Sequence, residues 1–274
     1  MKRAVWFLIS AYASVPVILY LFPWILGHAI FAHLLRFPFF VDLSKPEDVL
    51  NHTCNFYLNT DQGVSVGVWH TLPASQWEKA AGKSPEWYRE TLGDGRPVII
   101  YLHGNVGTRA INHRVGLVKV LSTVGYHVLS LDYRGFGDST GEPSEAGLTS
   151  DALYLYHWAK KHSKGSLVCV WGHSLGSGVA TNAAVKIQEQ GGLKITWNIV
   201  RHKVPQQLHM HHFYVDVAAS PAELLYLLQL YQTSLQAKKK LSTHAQVEMI
   251  SFNADLGFSH SHIYLAPDLS AVVR

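Results

Sequence analysis

The sequence predicts an α/β domain, a mostly parallel sheet with helices on both faces, preceded by one apolar N-terminal helix. Three observations predict it. From residue 62 onward, short β-branched runs alternate with helical stretches. The central strand-like runs are apolar without a polar face, as in a sheet covered on both sides. Finally, Ala4 to Leu35 contains no Asp, Glu, Lys or Arg. A chain of 274 residues with 48% hydrophobic content can fill one large core, and 15% charged residues is low enough to point toward a membrane.

The N-terminal run exceeds the roughly 20 apolar residues that a membrane span requires. Pro16 and Pro23 fall inside it and would kink it, which membrane helices tolerate. A signal peptide with "AYA" at 11–13 as cleavage site is the rival reading, but the apolar run continues well past that point. Residues 1–36 are therefore expected to be an uncleaved anchor, 37–60 a connector and 61–274 the α/β domain. Lys2 and Arg3 before the run and Arg36 after it place the N-terminus in the cytoplasm and the domain in a lumen or outside the cell. Asn51-His52-Thr53 is a glycosylation sequon and fits that side.

The elements follow in order. "SKPED" carries turn chemistry, and "GVSVGVWHTL" (63–72) alternates like a strand. "DGRPVIIYLHG" (94–104) is a turn and a buried strand, and 111–125 an amphipathic helix closing at Gly125. "YHVLSLDYRG" (126–135) is a strand, and 144–162 a helix started by Ser144. "SLVCVWGHS" (166–174) is a buried strand with Cys169 as a packed free thiol, and 176–192 a helix ending at Gly191. Cys54 and Cys169 lie far apart and do not fix the redox compartment. A net charge of +4 without a basic stripe gives no footprint for nucleic acid, and "KKK" at 238–240 reads as a solvated helix end.

In a parallel sheet, ligands bind beyond the carboxyl ends of the strands. Three loops lie there: "HGNVG", "DYRGFGDSTGEP" and "GHSLG". In the last, Ser174 stands between Gly172 and Gly176, directly after a strand and before a helix. A Gly-x-Ser-x-Gly pattern arises by chance in roughly one in ten chains of this length, so its context decides. A sharp strand-to-helix turn needs small flanking residues and lifts the serine oxygen above the sheet, as a nucleophile requires. The N–H of Leu175, at the helix start, is the first candidate oxyanion donor. The second is the N–H of Asn105 in "LHGNVG" (102–107), where His-Gly lets the backbone approach closely.

A serine nucleophile needs a base, which chain order places last. His260 and His262, after the final strand-like run, both fit, while His173 is expected to pack at the elbow and His103 to support the oxyanion loop. His202, His209, His211 and His212 match no common zinc spacing, so neither metal nor organic cofactor is expected.

Several segments together resemble one family: "FPFFVDLSKPED", "NHTCNFYL", "GVWHTLP", "YLHGNVGTRA", "LDYRGFGDSTGEP", "VWGHSLGSGVATN" and "DLGFSHSHIYLAPDL". They are similar to the α/β-hydrolase domain-containing protein twelve group, over about residues 14–192 and 226–274. These are membrane-anchored lysophosphatidylserine and monoacylglycerol lipases of the endoplasmic reticulum. The resemblance implies an α/β-hydrolase fold, Ser174 as nucleophile, His260 as base through the "DLG-aromatic-x-His" segment, and one anchor with a lumenal domain. It also implies a longer cytosolic tail before the anchor and a closing helix beyond Arg274.

The chain departs from the family over 193–226, which is shorter and lacks the post-elbow strand motif and the "His-x-x-Asp-Asp" turn that supplies the acid. Asp216 is the only acidic residue between Glu189 and Glu223, follows a strand-like run, and is the acid that chain order offers. Asp255 is expected to shape the His loop. The expected function is hydrolysis of lipid carboxylic esters through an acyl-enzyme on Ser174. A thioesterase acting on proteins or coenzyme A would use the same triad, and a membrane-held homologue that had lost its acid would keep only the elbow.

Overall fold

In a computed structural model of the chain, the described residues are 2–22, 28, 31–60, 63–190, 197–202 and 247–252. Their elements are α1 (Lys2–Leu21), β1 (Thr53–Asn59), β2 (Ser65–Thr71), α2 (Pro85–Thr91), β3 (Val98–Leu102), α3 (Asn112–Val124), β4 (His127–Leu131), α4 (Glu145–His162), β5 (Val168–Gly172), α5 (Leu175–Glu189), β6 (Trp197–His202) and β7 (Val247–Phe252).

Five strands form one sheet in the order β1-β2-β4-β3-β5. β4-β3 and β3-β5 pair in parallel, whereas β1-β2 and β2-β4 are antiparallel, so the described sheet is mixed. β1 is a strand that the sequence reading left within the connector. It runs against β2 from Thr53↔Thr71 to Asn59↔Ser65, and its short, polar-interrupted run hides that partnership from a local reading. β6 and β7 pair with one another in parallel, so the atypical segment 193–226 contains a strand.

Pleat alternation sorts β3 onto two cores. Val98, Ile100 and Leu102 pack with Leu148, Ala152 and Leu155 of α4 and Leu175, Val179 and Ala183 of α5. Ile99 and Tyr101 point to the other face, against Val115, Val118 and Leu121 of α3. Each fully buried aliphatic side chain contributes about 1.5–3 kcal/mol, which is what holds the helices to both faces. The ends of α3 and α4 follow the local chemistry read above. Gly125 closes α3 at φ 110°, and the Ser144 hydroxyl accepts from the Gly147 N–H at 3.1 Å to start α4.

One expectation changes. Cys169 is exposed rather than packed, because among the described residues β5 is an edge strand with β3 as its neighbour. The membrane-spanning helix expected over residues 1–36 is not shown. Among the described residues no helix is long and apolar enough to cross a membrane.

The chain passes from β3 through α3 to β4 on one side, then through α4 back across β3 to β5 on the other. In open α/β sheets such a reversal is where ligands bind, beyond the carboxyl ends of the strands, here β3 and β5.

Candidate active site

Two short segments meet at these strand ends. The elbow between β5 and α5 carries Ser174 at φ 53°, the left-handed region that a side chain rarely occupies. Holding a non-glycine residue there costs about 1–3 kcal/mol, and its surroundings impose it. A Cβ on Gly172 would collide with the Gly176 carbonyl, and one on Gly176 with the Leu102 carbonyl at the end of β3. Backbone bonds lock the turn: His173 N–H donates to Leu102 O at 3.0 Å and Gly176 N–H to His173 O at 2.8 Å. Ser174 is half-buried, and Leu175, 2% exposed, is the first residue of α5. Its position at the N-terminus of that helix suits an amide that must face developing negative charge.

The second segment is the loop after β3. A Cβ on Gly104 would stand 3.2 Å from the Ser174 Cβ, so this loop and the elbow are in van der Waals contact. Asn105 follows Gly104 and is half-buried, with its side-chain oxygen accepting from the Ala32 N–H at 3.1 Å. The Thr108 N–H and hydroxyl both donate to Phe37 O, at 2.9 and 3.1 Å. The stretch after α1 thus lies directly on the loop.

Charges buried behind the loop come from "DYRGFGDSTGEP". Asp132 accepts from the Arg109 N–H at 2.8 Å and from its Nη1 at 2.7 Å. Arg109 also reaches Asp138 at 2.7 Å and Asn55 at 2.9 Å. Burial would raise the Asp132 carboxyl, but the Arg109 guanidinium and the adjacent His103 outweigh it and hold Asp132 at about 2. His103, 1% exposed, lies 2.9 Å from Asp132 through Nε2, and its Nδ1–H donates to Gly104 O at 2.7 Å. The Tyr133 hydroxyl donates to His103 O at 3.0 Å.

The structure therefore brings together Ser174, Leu175 and Asn105, with His103 bonded to the loop carbonyl of Gly104. Asn51 stands apart in an exposed turn before β1. His260, His262, Asp216 and Asp255 lie outside the described residues. Sequence reasoning missed Arg114, 2% exposed on α3, which donates to three carbonyls of the loop. The available signal was its place on the buried stripe of an amphipathic helix with Leu117, Val118 and Leu121. A charged residue there has to find polar partners inside.

The family model described as "alpha/beta hydrolase fold" matches residues 97–190, the stretch holding both segments. The lysophosphatidylserine lipase ABHD12 of Xenopus tropicalis is 40% identical over 309 aligned residues, 98% of this chain and 80% of that protein. The chain belongs to the lysophosphatidylserine lipase ABHD12 family. Its Gallus gallus member is 37% identical over all of this chain and 83% of its own length. The human protein ABHD12B is 56% identical over 59% of this chain and 45% of its own length. Among solved structures, an alpha-beta hydrolase from Vibrio vulnificus superposes with a TM-score of 0.50 at 14% identity, over 81% of this chain and 80% of that one. At that identity the likeness concerns the fold alone, and it is the α/β-hydrolase fold.

Proposed function

We propose that the chain is a membrane-held serine hydrolase of lipid carboxylic esters, acting on lysophosphatidylserine-type or monoacylglycerol substrates. The observation that carries this is Ser174 at φ 53° on a strand-to-helix elbow in contact with the loop of Asn105. Membership of a family whose relatives are named lysophosphatidylserine lipases supports the substrate class.

Ser174 Oγ attacks the ester carbonyl carbon while His260 takes its proton. The carbonyl oxygen becomes an oxyanion facing the N–H groups of Asn105 and Leu175. The tetrahedral intermediate expels the alcohol, which receives the proton from His260, and an acyl-serine remains. Water, deprotonated by His260, then releases the fatty acid and restores the serine. Asp216 is the acid that would hold the imidazole tautomer. Neither metal nor cofactor has a role in this chemistry.

Attachment to the endoplasmic reticulum membrane, with the domain lumenal, is supported by the first 40 residues. Trp6, Tyr12, Val17 and Tyr20 of α1 are exposed, as are Leu34, Leu35, Phe39 and Phe40 just after it, an amount of bare apolar surface that lipid would cover. Asn51, exposed, is then a glycosylation site. Endoglycosidase H is expected to shift the protein's mobility and Asn51→Gln to remove the shift. Protease cutting the domain in sealed microsomes would reverse the topology.

A fluorophosphonate probe, which phosphonylates an activated serine, tests the chemistry. The wild type is expected to label and Ser174→Ala not to. Equal labelling of both would refute the assignment. Asp216→Asn is expected to lower turnover by about 10⁴ with the fold intact. Full activity in that variant would move the acid elsewhere.

A further inference from the structure

We propose that Arg114 is a positioning residue of the oxyanion hole, aiming the Asn105 N–H through the carbonyl of Gly104. The inference rests on Ser174 being the nucleophile.

A trans peptide is planar, with its C=O and N–H on opposite edges of one plane. Whatever fixes the Gly104 carbonyl therefore fixes the direction of the Asn105 N–H. Two donors hold that carbonyl: His103 Nδ1–H at 2.7 Å and Arg114 Nη2–H at 3.0 Å. The two differ in reach. His103 is the carbonyl's own neighbour in the chain. Arg114 sits on α3, whose Val115, Leu117, Val118 and Leu121 anchor it in the core. Its Nη2 also donates to Val106 O and its Nη1 to Thr108 O at 2.8 Å, so one rigid fork holds three carbonyls of residues 104–108.

The guanidinium is buried with no described carboxylate at ion-pair distance, unlike Arg109 and Arg134. Among the described residues the hydrogen-bond partners of its Nη1 and Nη2 are peptide oxygens. Drawing electron density toward Gly104 O makes the Asn105 N–H a stronger donor, since hydrogen bonds in a chain polarise one another. Arg114 touches neither substrate nor Ser174. Its effect is expressed in the transition state, where the oxyanion exists, and not in binding of the neutral ester.

The test uses the full chain in detergent with a long-chain monoacylglycerol as substrate. Active sites are counted by fluorophosphonate titration, so that unfolded protein does not enter the rates. Arg114→Gln is expected to lower kcat per titrated site about 10- to 100-fold, below the loss of a whole donor, with KM unchanged. A trifluoromethyl ketone, which forms the oxyanion on Ser174, should lose affinity by the same factor as kcat/KM. Arg114→Lys, with one compact donor group in place of the fork, should recover part of both. If Arg114→Gln does not fold, Arg114→Lys carries the same comparison with the wild type. A lower melting temperature and fewer titratable sites with kcat per site unchanged would overturn the proposal, leaving Arg114 a structural residue. A raised KM at constant kcat would overturn it as well. A wild type that does not label at Ser174 would instead bring down the nucleophile assignment, and this inference with it.

Discussion

The elbow at 172–176 and the loop at 103–108 meet at the same strand ends, yet they are held by opposite means. The elbow is shaped by exclusion. There is no room for a Cβ on Gly172 or Gly176, and backbone bonds within the turn and to Leu102 at the end of β3 keep Ser174 at its positive φ. The loop is shaped by attachment. Its carbonyls are held by His103, Arg114 and Tyr133, and its far side by Phe37 and Ala32. The comparison teaches that a strained turn can be encoded in five adjacent residues packed on one strand end, whereas an open loop borrows its geometry from several distant side chains.

The largest expected effect separates the two. Asp132→Ala leaves Arg109 buried with Asp138 as its remaining acid and removes the carboxylate beside His103. Breaking such a pair typically costs about 3–5 kcal/mol. Urea denaturation should register that loss, and fluorophosphonate labelling of the remaining folded protein should slow because the loop loses its support. Unchanged stability and labelling would mean that the loop does not depend on this network. Acid should act in the same direction. With Asp132 held at about 2 against an ordinary 3.8, its contribution is fully present above the ordinary value and disappears as pH falls from there toward 2.

Gly176→Ala strikes the elbow instead. Displacing the end of β3 to admit one methyl should cost about 3 kcal/mol and abolish labelling, with the Arg109–Asp132 network intact. Retained labelling would show that the elbow tolerates what its geometry forbids.

A third region, remote from both, sharpens the contrast. His70 Nε2 and His127 Nδ1 lie 3.0 Å apart inside the domain. Burial, with the other imidazole close by, pushes His70 well below the ordinary 6.5, and burial lowers His127 despite Asp94 nearby. Both therefore take up a proton less readily in the folded protein than in the unfolded chain, which protonates as pH falls through 6.5. Stability from this pair is thus present above that value and lost as pH falls below it toward the lowered folded-state values. Denaturation curves at pH 7.5 and 5.5 should differ accordingly. His70→Phe should flatten the dependence, and a wild type equally stable at both values would refute it.

The smallest effect serves as the control. Ser144→Ala removes the cap of α4 and should cost about 1 kcal/mol by denaturation while leaving labelling per folded molecule unchanged.

The sequence by itself determined the local devices of this protein. The alternation of apolar runs announced β2 to β5 with α3 and α4 among them, Ser144 and Gly125 marked helix ends, and Gly172, Ser174 and Gly176 spelled out the elbow. Each depends on residues that are neighbours in the chain, so its physics is written in a short window. Only the tertiary structure decided the rest. It turned part of the connector into β1, because a strand is defined by its partner, here β2. It left Cys169 exposed, because burial of β5 depends on what lies beside it. And it converted Arg114 from a misplaced charge on an apolar helix face into the clamp of a loop ten residues earlier, because a buried cation takes its meaning from the carbonyls that the folded chain brings to it.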